Sequence, residues 1–214
     1  MCIRDRFSAE QALALLDAGR GDRFELAAVL GLTLGLRRGE ILGLQWGDID
    51  LEAETIGINR TLKYQSGIGL VTDEPKTNAG RRELPILRIH DEAIRRHRLN
   101  QNQERLRTKT SWPEEKFVFV NKFGGPVDPR NFVRWWHEVC ERAGLPRTRF
   151  HETRHSAATL MLEDGASLEQ ISKILGHSSI AVTGDIYARP SAESIRGAAG
   201  RGLSRIAATD GYEL

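Results

Sequence analysis

Cysteine is almost missing from this chain: among 214 residues only Cys2 and Cys140 carry a thiol. Two thiols give no disulfide framework, and their scarcity fits a reducing cytoplasm. No apolar run approaches the roughly eighteen residues of a membrane-spanning helix, and none reads as the apolar stretch of a signal peptide. Internal repeats and low-complexity segments are absent as well. Neither charge sign dominates, with a net charge of +2 and a pI near 8.7. Composition therefore does not announce a nucleic-acid partner, since basic residues must be clustered to matter. What remains is a chain long enough to bury a real core, as one domain or one domain with an appendage.

The pattern along the chain is mainly helical. Ser8 with Gln11 three residues on is a capping-box signature, followed by Ala12, Leu15 and Leu16 at helical spacing. Asp22 opens a second helical stretch through FELAAVLGLTLGL, whose nearly continuous apolar residues predict a buried helix. Arg37 falls at its end, and a short helix, RGEILGLQ, follows. From Thr55 to Ile86 the pattern becomes short alternating stretches, predicting one small antiparallel sheet with turns at Ser66-Gly67 and Asn78-Ala79-Gly80. HDEAIRRHRLNQNQERLR is a charged helix whose arginines, Arg95, Arg96, Arg98, Arg105 and Arg107, either follow phosphates or form a solvated face. RNFVRWWHEVCERAGL is an amphipathic helix stopped by Gly144 and Pro146. Trp135 and Trp136 are adjacent and cannot share a face, so one is expected in the core and one partly exposed. From His151 onward the chain reads as helices with turns at Asp164-Gly165 and Gly176. The fold class is α+β, mainly α with a small antiparallel β-sheet.

Three islands carry the chemistry: GLRRGE around Arg37, HETRH from His151, and LGHSSIAVTGDIY, in which Tyr187 lies ten residues after His177. A phenol has a pKa near 10, so only about one in a thousand is ionised at pH 7, and making it react needs roughly 4 kcal/mol of local help. Arginine suits a phosphate because its planar fork gives paired hydrogen bonds and its charge is not titrated away. His151 and Arg154, three apart, share one helical face and can address one phosphate. Glu40 lies one turn from Arg37, either orienting its guanidinium or simply covering the helix surface. Gly176 ends the LEQISKIL helix and aims His177. Set against this, HETRH also matches H-E-x-x-H, the zinc-protease helix. On that reading His151 and His155 bind zinc, Glu152 is the base, and Glu163 or Glu169 is the third ligand. It leaves Arg37, Lys76 and the LGH…Y segment without a role.

The ordered set of motifs resembles the catalytic domain of the tyrosine recombinases, the phage-type integrases and their Xer-like relatives, from about Ser8 to Pro190. TLGLRRGEILGLQWGDID (Thr33 to Asp50) is similar to the family's first arginine box. EPKTNAGRRELPI (Glu74 to Ile86) is similar to its lysine-bearing hairpin, and HETRH through Tyr187 to its second box and nucleophile. The resemblance implies an integrase catalytic-domain-like fold and a catalytic set of Arg37, Lys76, His151, Arg154, His177 and the nucleophile Tyr187, supported by Glu40 and His155. Arg37 and Arg154 would clamp the scissile phosphate, Lys76 protonate the leaving 5′-oxygen, His151 accept the tyrosine proton and His177 donate to the phosphate. Lys63, in the preceding strand, competes with Lys76, which the hairpin shape favours. Where the family more often has aspartate and leucine, this chain has Glu152 and Thr153. Where many relatives have a histidine two residues after the tyrosine, it has Arg189.

The implied activity is metal- and ATP-independent cleavage and rejoining of double-stranded DNA through a 3′-phosphotyrosyl intermediate, serving a phage or other mobile element. No cofactor or metal is called for. Xer-type chromosome dimer resolution or type IB topoisomerase-like relaxation are alternatives within that chemistry; a zinc hydrolase and a catalytically silent DNA-binding regulator are alternatives outside it. The expected partners are DNA, three further copies in a homotetramer on recombining sites, and accessory DNA-bending or directionality factors, with weak association or a monomer when DNA is absent and no membrane. The expected location is the cytoplasm of a bacterium or phage-infected host, at the nucleoid. Residues 8–190 are expected to be the catalytic domain. Residues 191–214 form a helix and tail, either exchanged between protomers or packed in cis, with Ile195, Ala199 and Ile206 near one stripe. MCIRDR matches the translation of ATGTGTATAAGAGACAG, which resembles a sequencing-adapter end, so residues 1–7 are read as non-native or linker. The family's amino-terminal core-binding domain is expected to be absent.

Overall fold

In a computed structural model, which describes residues 6–74, 80–108, 112 and 116–177, the chain folds around one almost wholly buried helix. This is α2 (Glu25–Leu34), nine of whose ten residues are buried. A helix apolar on every face must be covered on every face. Helix α1 (Ala9–Ala18), α4 (Arg88–Arg107) and α6 (Glu152–Glu163) pack around it, and α5 (Pro129–Arg142) lies against α1. The short α3 (Arg38–Gly43) follows α2, and α7 (Leu168–Leu175) packs on α6. The expected capping box starts α1: Ser8 Oγ accepts the Gln11 N–H at 3.2 Å, and Gln11 Oε1 accepts the Ser8 N–H at 3.0 Å. Ser167 and Gln170 repeat it at α7.

The crossing of α2 and α6 is made possible by Gly31. A Cβ there would lie 2.5 Å from Phe150 Cζ, so only glycine lets the two backbones approach this closely. Phe150 is held in turn by Phe132 (ring centroids 4.8 Å) and Trp136 (5.0 Å), both edge-on. His151 follows Phe150 directly, so this aromatic cluster fixes where α6 begins.

Several expectations are corrected. The single sheet is two. Strands β1 (Ile49–Asp50), β2 (Thr55–Ile58) and β5 (Arg82–Pro85) form one antiparallel sheet in the order β1-β2-β5, while β3 (Thr61–Gln65) and β4 (Gly69–Asp73) form a separate hairpin. The run TIGINRTLKY breaks because Asp48 captures the side chains of both Asn59, at 3.0 Å, and Arg60, in an ion pair. The hairpin turns at Ser66–Gly67 as expected, whereas Asn78 and Ala79 lie outside the described residues. Helix α2 starts at Glu25 and not at Asp22, whose carboxylate accepts from Trp135 Nε1 at 2.8 Å and pairs with Arg142. Both tryptophans are buried. Phe7 is buried, packs on Trp136 and donates its N–H to Ser156 Oγ at 2.7 Å. On α4, Arg95 and Arg96 pair with Asp91 and Glu25, and Arg98 lies over the Trp46 ring.

Both α2 and α7 end on glycine in the left-handed region, Gly35 at φ +63° and Gly176 at φ +68°. A Cβ on Gly35 would also sit 2.5 Å from Leu175 Cδ2, at the end of α7. Gly35→Ala should therefore lose about 2–4 kcal/mol in urea unfolding, combining left-handed strain with overpacking. Gly67→Ala, left-handed but with nothing within 4 Å, should lose only about 1–2 kcal/mol.

Candidate active site

Arg37 is extended (φ −70°, ψ 146°) between the end of α2 and the start of α3. Buried Leu36 anchors the backbone beside it, while the Arg37 side chain stays 39% exposed. Glu40, 3% exposed, turns back on it. Its Oε2 accepts the Arg37 N–H at 2.9 Å and its Oε1 accepts from Arg37 Nη1 at 2.8 Å. Of the two readings open for Glu40, orienting Arg37 is the one the geometry supports.

Arg154 is 2% exposed. Its Nη1 donates to the Gly35 carbonyl at 2.8 Å and its Nη2 to the Leu175 carbonyl at 2.6 Å. Both acceptors belong to helix C-termini, where carbonyls lack intrahelical partners and carry the negative end of the helix dipole. A buried guanidinium is tolerable here because its charge meets two such ends. Gly35 lies two residues before Arg37, and Leu175 two before His177. One side chain thus sets the distance between two of the sequence islands.

His177 is half-buried, and its backbone N–H closes the end of α7 on the Ser172 carbonyl at 3.1 Å. Burial pushes its pKa down to about 4, and the charges of Arg154, Arg37 and Arg82 and the nearby His155 push the same way. His151, at the start of α6, is exposed. Loss of solvent on its packed side lowers its pKa, with His155 and Arg154 adding to the effect. The His151 and His155 rings meet perpendicularly with centroids 5.0 Å apart. His155, half-buried, is also shifted down, chiefly by burial. All three imidazoles are neutral at pH 7, so each can accept a proton or donate one N–H.

The sequence reading missed Arg82. Its side chain is 7% exposed in β5, and its guanidinium makes two bonds to Glu40, Nη1 to Oε1 at 3.2 Å and Nη2 to Oε2 at 3.0 Å. Its Nε donates to the Ile174 carbonyl at 2.6 Å, and its Nη1 to the Gly80 carbonyl at 3.2 Å. Burial alone would raise the Glu40 pKa. The hydrogen bond and charge of Arg82, then the Arg37 N–H and charge, reverse this and hold it below the usual carboxylate range. A signal was present in the sequence: side chains alternate along a strand, so Arg82 shares the inward face with Leu84. An arginine in phase with the core needs a buried partner.

This corner brings together Arg37, Glu40, Arg154 and His177, with His151 and His155 beside them. A family model described as phage integrase family matches residues 5–194. The chain belongs to the phage integrase family. Members of this tyrosine recombinase family are site-specific recombinases. A XerC-like tyrosine recombinase of Caldanaerobacter subterraneus subsp. tengcongensis is 32% identical over 194 residues, covering 86% of this chain and 50% of that protein. An integrase of Saccharopolyspora erythraea is 25% identical, over 78% of this chain and 49% of that protein. The chain spans about half the length of the curated relatives it matches. Among solved structures, the Tn1549 transposon integrase in complex with transposon right end DNA superposes with a TM-score of 0.77 at 26% identity, over 94% of this chain and 67% of that one. The XerA recombinase matches in fold with a TM-score of 0.68 at 24% identity, over 92% of this chain and 63% of that one.

Two of the residues that the integrase resemblance singles out, Lys76 and Tyr187, lie outside the described residues, as do Ile195, Ala199 and Ile206. Gly80, four residues after Lys76 in sequence, is held by Arg82. Lys63, the competitor for the lysine role, pairs with Asp73 across the β3–β4 hairpin, in a different sheet from Arg82. The zinc reading of HETRH finds no support in the donor geometry. Glu152 is buried and paired with Arg149 at 2.7 Å, and among the described residues no three His, Cys, Asp or Glu side chains converge as a metal site.

The lowered pKa of His177 makes folding pH-dependent. Its ordinary value is 6.5 and its folded value about 4, so between these the unfolded chain binds more protons. Its contribution to stability is complete above pH 6.5 and is lost as pH falls towards 4. Urea unfolding at pH 7 and pH 5 should show a smaller loss of stability in His177→Gln than in wild type.

Proposed function

We propose that the chain is the catalytic domain of a tyrosine-type site-specific recombinase, which cuts and rejoins double-stranded DNA in the integration or excision of a mobile element. The observation that carries this reading is the convergence of Arg37, Arg154 and His177 around the ends of α2 and α7, a cationic corner suited to a phosphate. Arg37 and Arg154 neutralise the non-bridging oxygens as charge builds in the pentavalent transition state. Glu40 holds Arg37, and His155 packs beside His151. His177, kept neutral, donates an N–H to a phosphate oxygen.

Tyr187 is the nucleophile. Its oxygen bonds to phosphorus, its proton passes to His151, and the 5′-oxygen leaves with a proton from Lys76. The link is a 3′-phosphotyrosine, and attack by a 5′-hydroxyl reverses the step, so the phosphodiester bond energy is retained. The chain works as a homotetramer on two DNA sites, associates weakly or stays monomeric without DNA, and takes accessory DNA-bending or directionality factors. It acts where its DNA is, at the nucleoid. A second reading, Xer-type chromosome dimer resolution, is favoured by the XerC-like relative and uses the same residues on a different target.

Relaxation of supercoiled plasmid at low salt with EDTA is the test. Wild type is expected to relax plasmid and leave a protein–DNA band on a denaturing gel; Tyr187→Phe is expected to do neither. Arg154→Ala, which removes a charge aimed at the transition state, should slow relaxation by about 10²–10³-fold. Activity surviving in Tyr187→Phe would overturn the assignment, and activity lost to EDTA would bring the zinc reading back.

A further inference from the structure

We infer that Arg82 is a positioning residue for the cleavage reaction, holding the first arginine box, the end of α7 before His177 and the Gly80 carbonyl in one register through a single guanidinium. The inference rests on the reading under Proposed function. Its ground is the bond pattern. Arg82 reaches Glu40 in α3, the Ile174 carbonyl in the last turn of α7 and the Gly80 carbonyl just before β5. Glu40 receives four hydrogen bonds, two from Arg82 and two from Arg37, which fills the acceptor capacity of a carboxylate. Arg37 and Arg82 therefore share one anion, and neither moves without disturbing the other.

Stability alone is a poor reason for this pair. Buried ion pairs are often no better than packed hydrophobic residues of the same volume. Arg82 also sits next to Leu84 on the apolar phase of β5, where a leucine or methionine would serve the core. What a hydrophobic residue could not do is bond three elements at once. Lysine could keep the charge but not the planar fork that reaches Glu40 with two nitrogens while Nε holds Ile174. The Arg82 nitrogens are spent on Glu40, Ile174 and Gly80, so its effect passes through Arg37 and His177.

The test uses Arg82→Lys and Arg82→Met in the full chain. Three quantities are measured: melting temperature, cleavage rate on a nicked duplex that traps the covalent product, and the imidazole NMR titration of His177 without DNA. Folded Arg82→Lys should bind the duplex as wild type does but cleave it about 100-fold more slowly, the scale of loss for a small misplacement of catalytic groups. Its His177 resonances should shift as the turn is released. In Arg82→Met, with one cation fewer beside it, His177 should titrate above its value of about 4. A merely structural arginine would change melting alone. Wild-type cleavage, or unchanged His177 resonances, in folded Arg82→Lys would overturn the inference; if Arg82→Met does not fold, the lysine variant decides alone. If wild type cleaves no DNA, it is the functional reading that fails, and the His177 spectra still decide whether Arg82 couples the elements.

Discussion

The Arg154 guanidinium, bonded at once to the Gly35 and Leu175 carbonyls, is the contact on which the rest of the site depends. Each carbonyl belongs to a helix that stops on a left-handed glycine, and each helix leads within two residues to a functional side chain, Arg37 in one case and His177 in the other. Without a buried cation, two negative helix ends would face each other across the core. With it, the ends are drawn together, and the Gly35 to Leu175 contact leaves no room for even a methyl group. The residue whose charge is proposed to meet the phosphate is thus also the tie that builds the corner.

Charge explains how the corner is poised. Arg37, Arg82 and Arg154 bring three cations to this corner, and Arg37 and Arg82 share the Glu40 carboxylate. Burial first, and then the charges of these arginines, drive His177 well below its ordinary pKa and keep it neutral. Phosphate is the ligand that would balance such a site, and binding it would draw the His177 pKa back up. A site built this way binds an anion without first binding a proton, and it keeps the nearby His151 free to take one. The aromatic cluster of Phe132, Trp136 and Phe150 sets the floor under α6, so the imidazole and guanidinium of that helix approach the corner from a fixed direction.

Much of this was legible in the sequence because it is local. The capping boxes at Ser8 and Ser167, the glycine stop at Gly176 and the shared face of His151 and Arg154 all follow from spacing along one element. The fold class followed from the same patterns, and the family from their order. What escaped depends on contacts far apart in sequence. Asp48 breaks a strand eleven residues away by capturing Asn59, splitting one expected sheet into two. Asp22 is diverted from capping α2 by Trp135 and Arg142 on α5, more than a hundred residues on. Arg82 is the instructive case: strand alternation marks it as inward-facing, but its partners come from α3 and α7, which no local pattern connects to β5.

The claim that everything else serves is that this corner presents a DNA phosphate to Tyr187. The most direct measurement is mass-spectrometric mapping of the peptide left attached to DNA after reaction with a nicked duplex that traps the covalent product. The account predicts a single nucleotide-bearing peptide with the modification on Tyr187. Attachment at Tyr64 or Tyr212, or bound DNA with no covalent peptide at all, would contradict it.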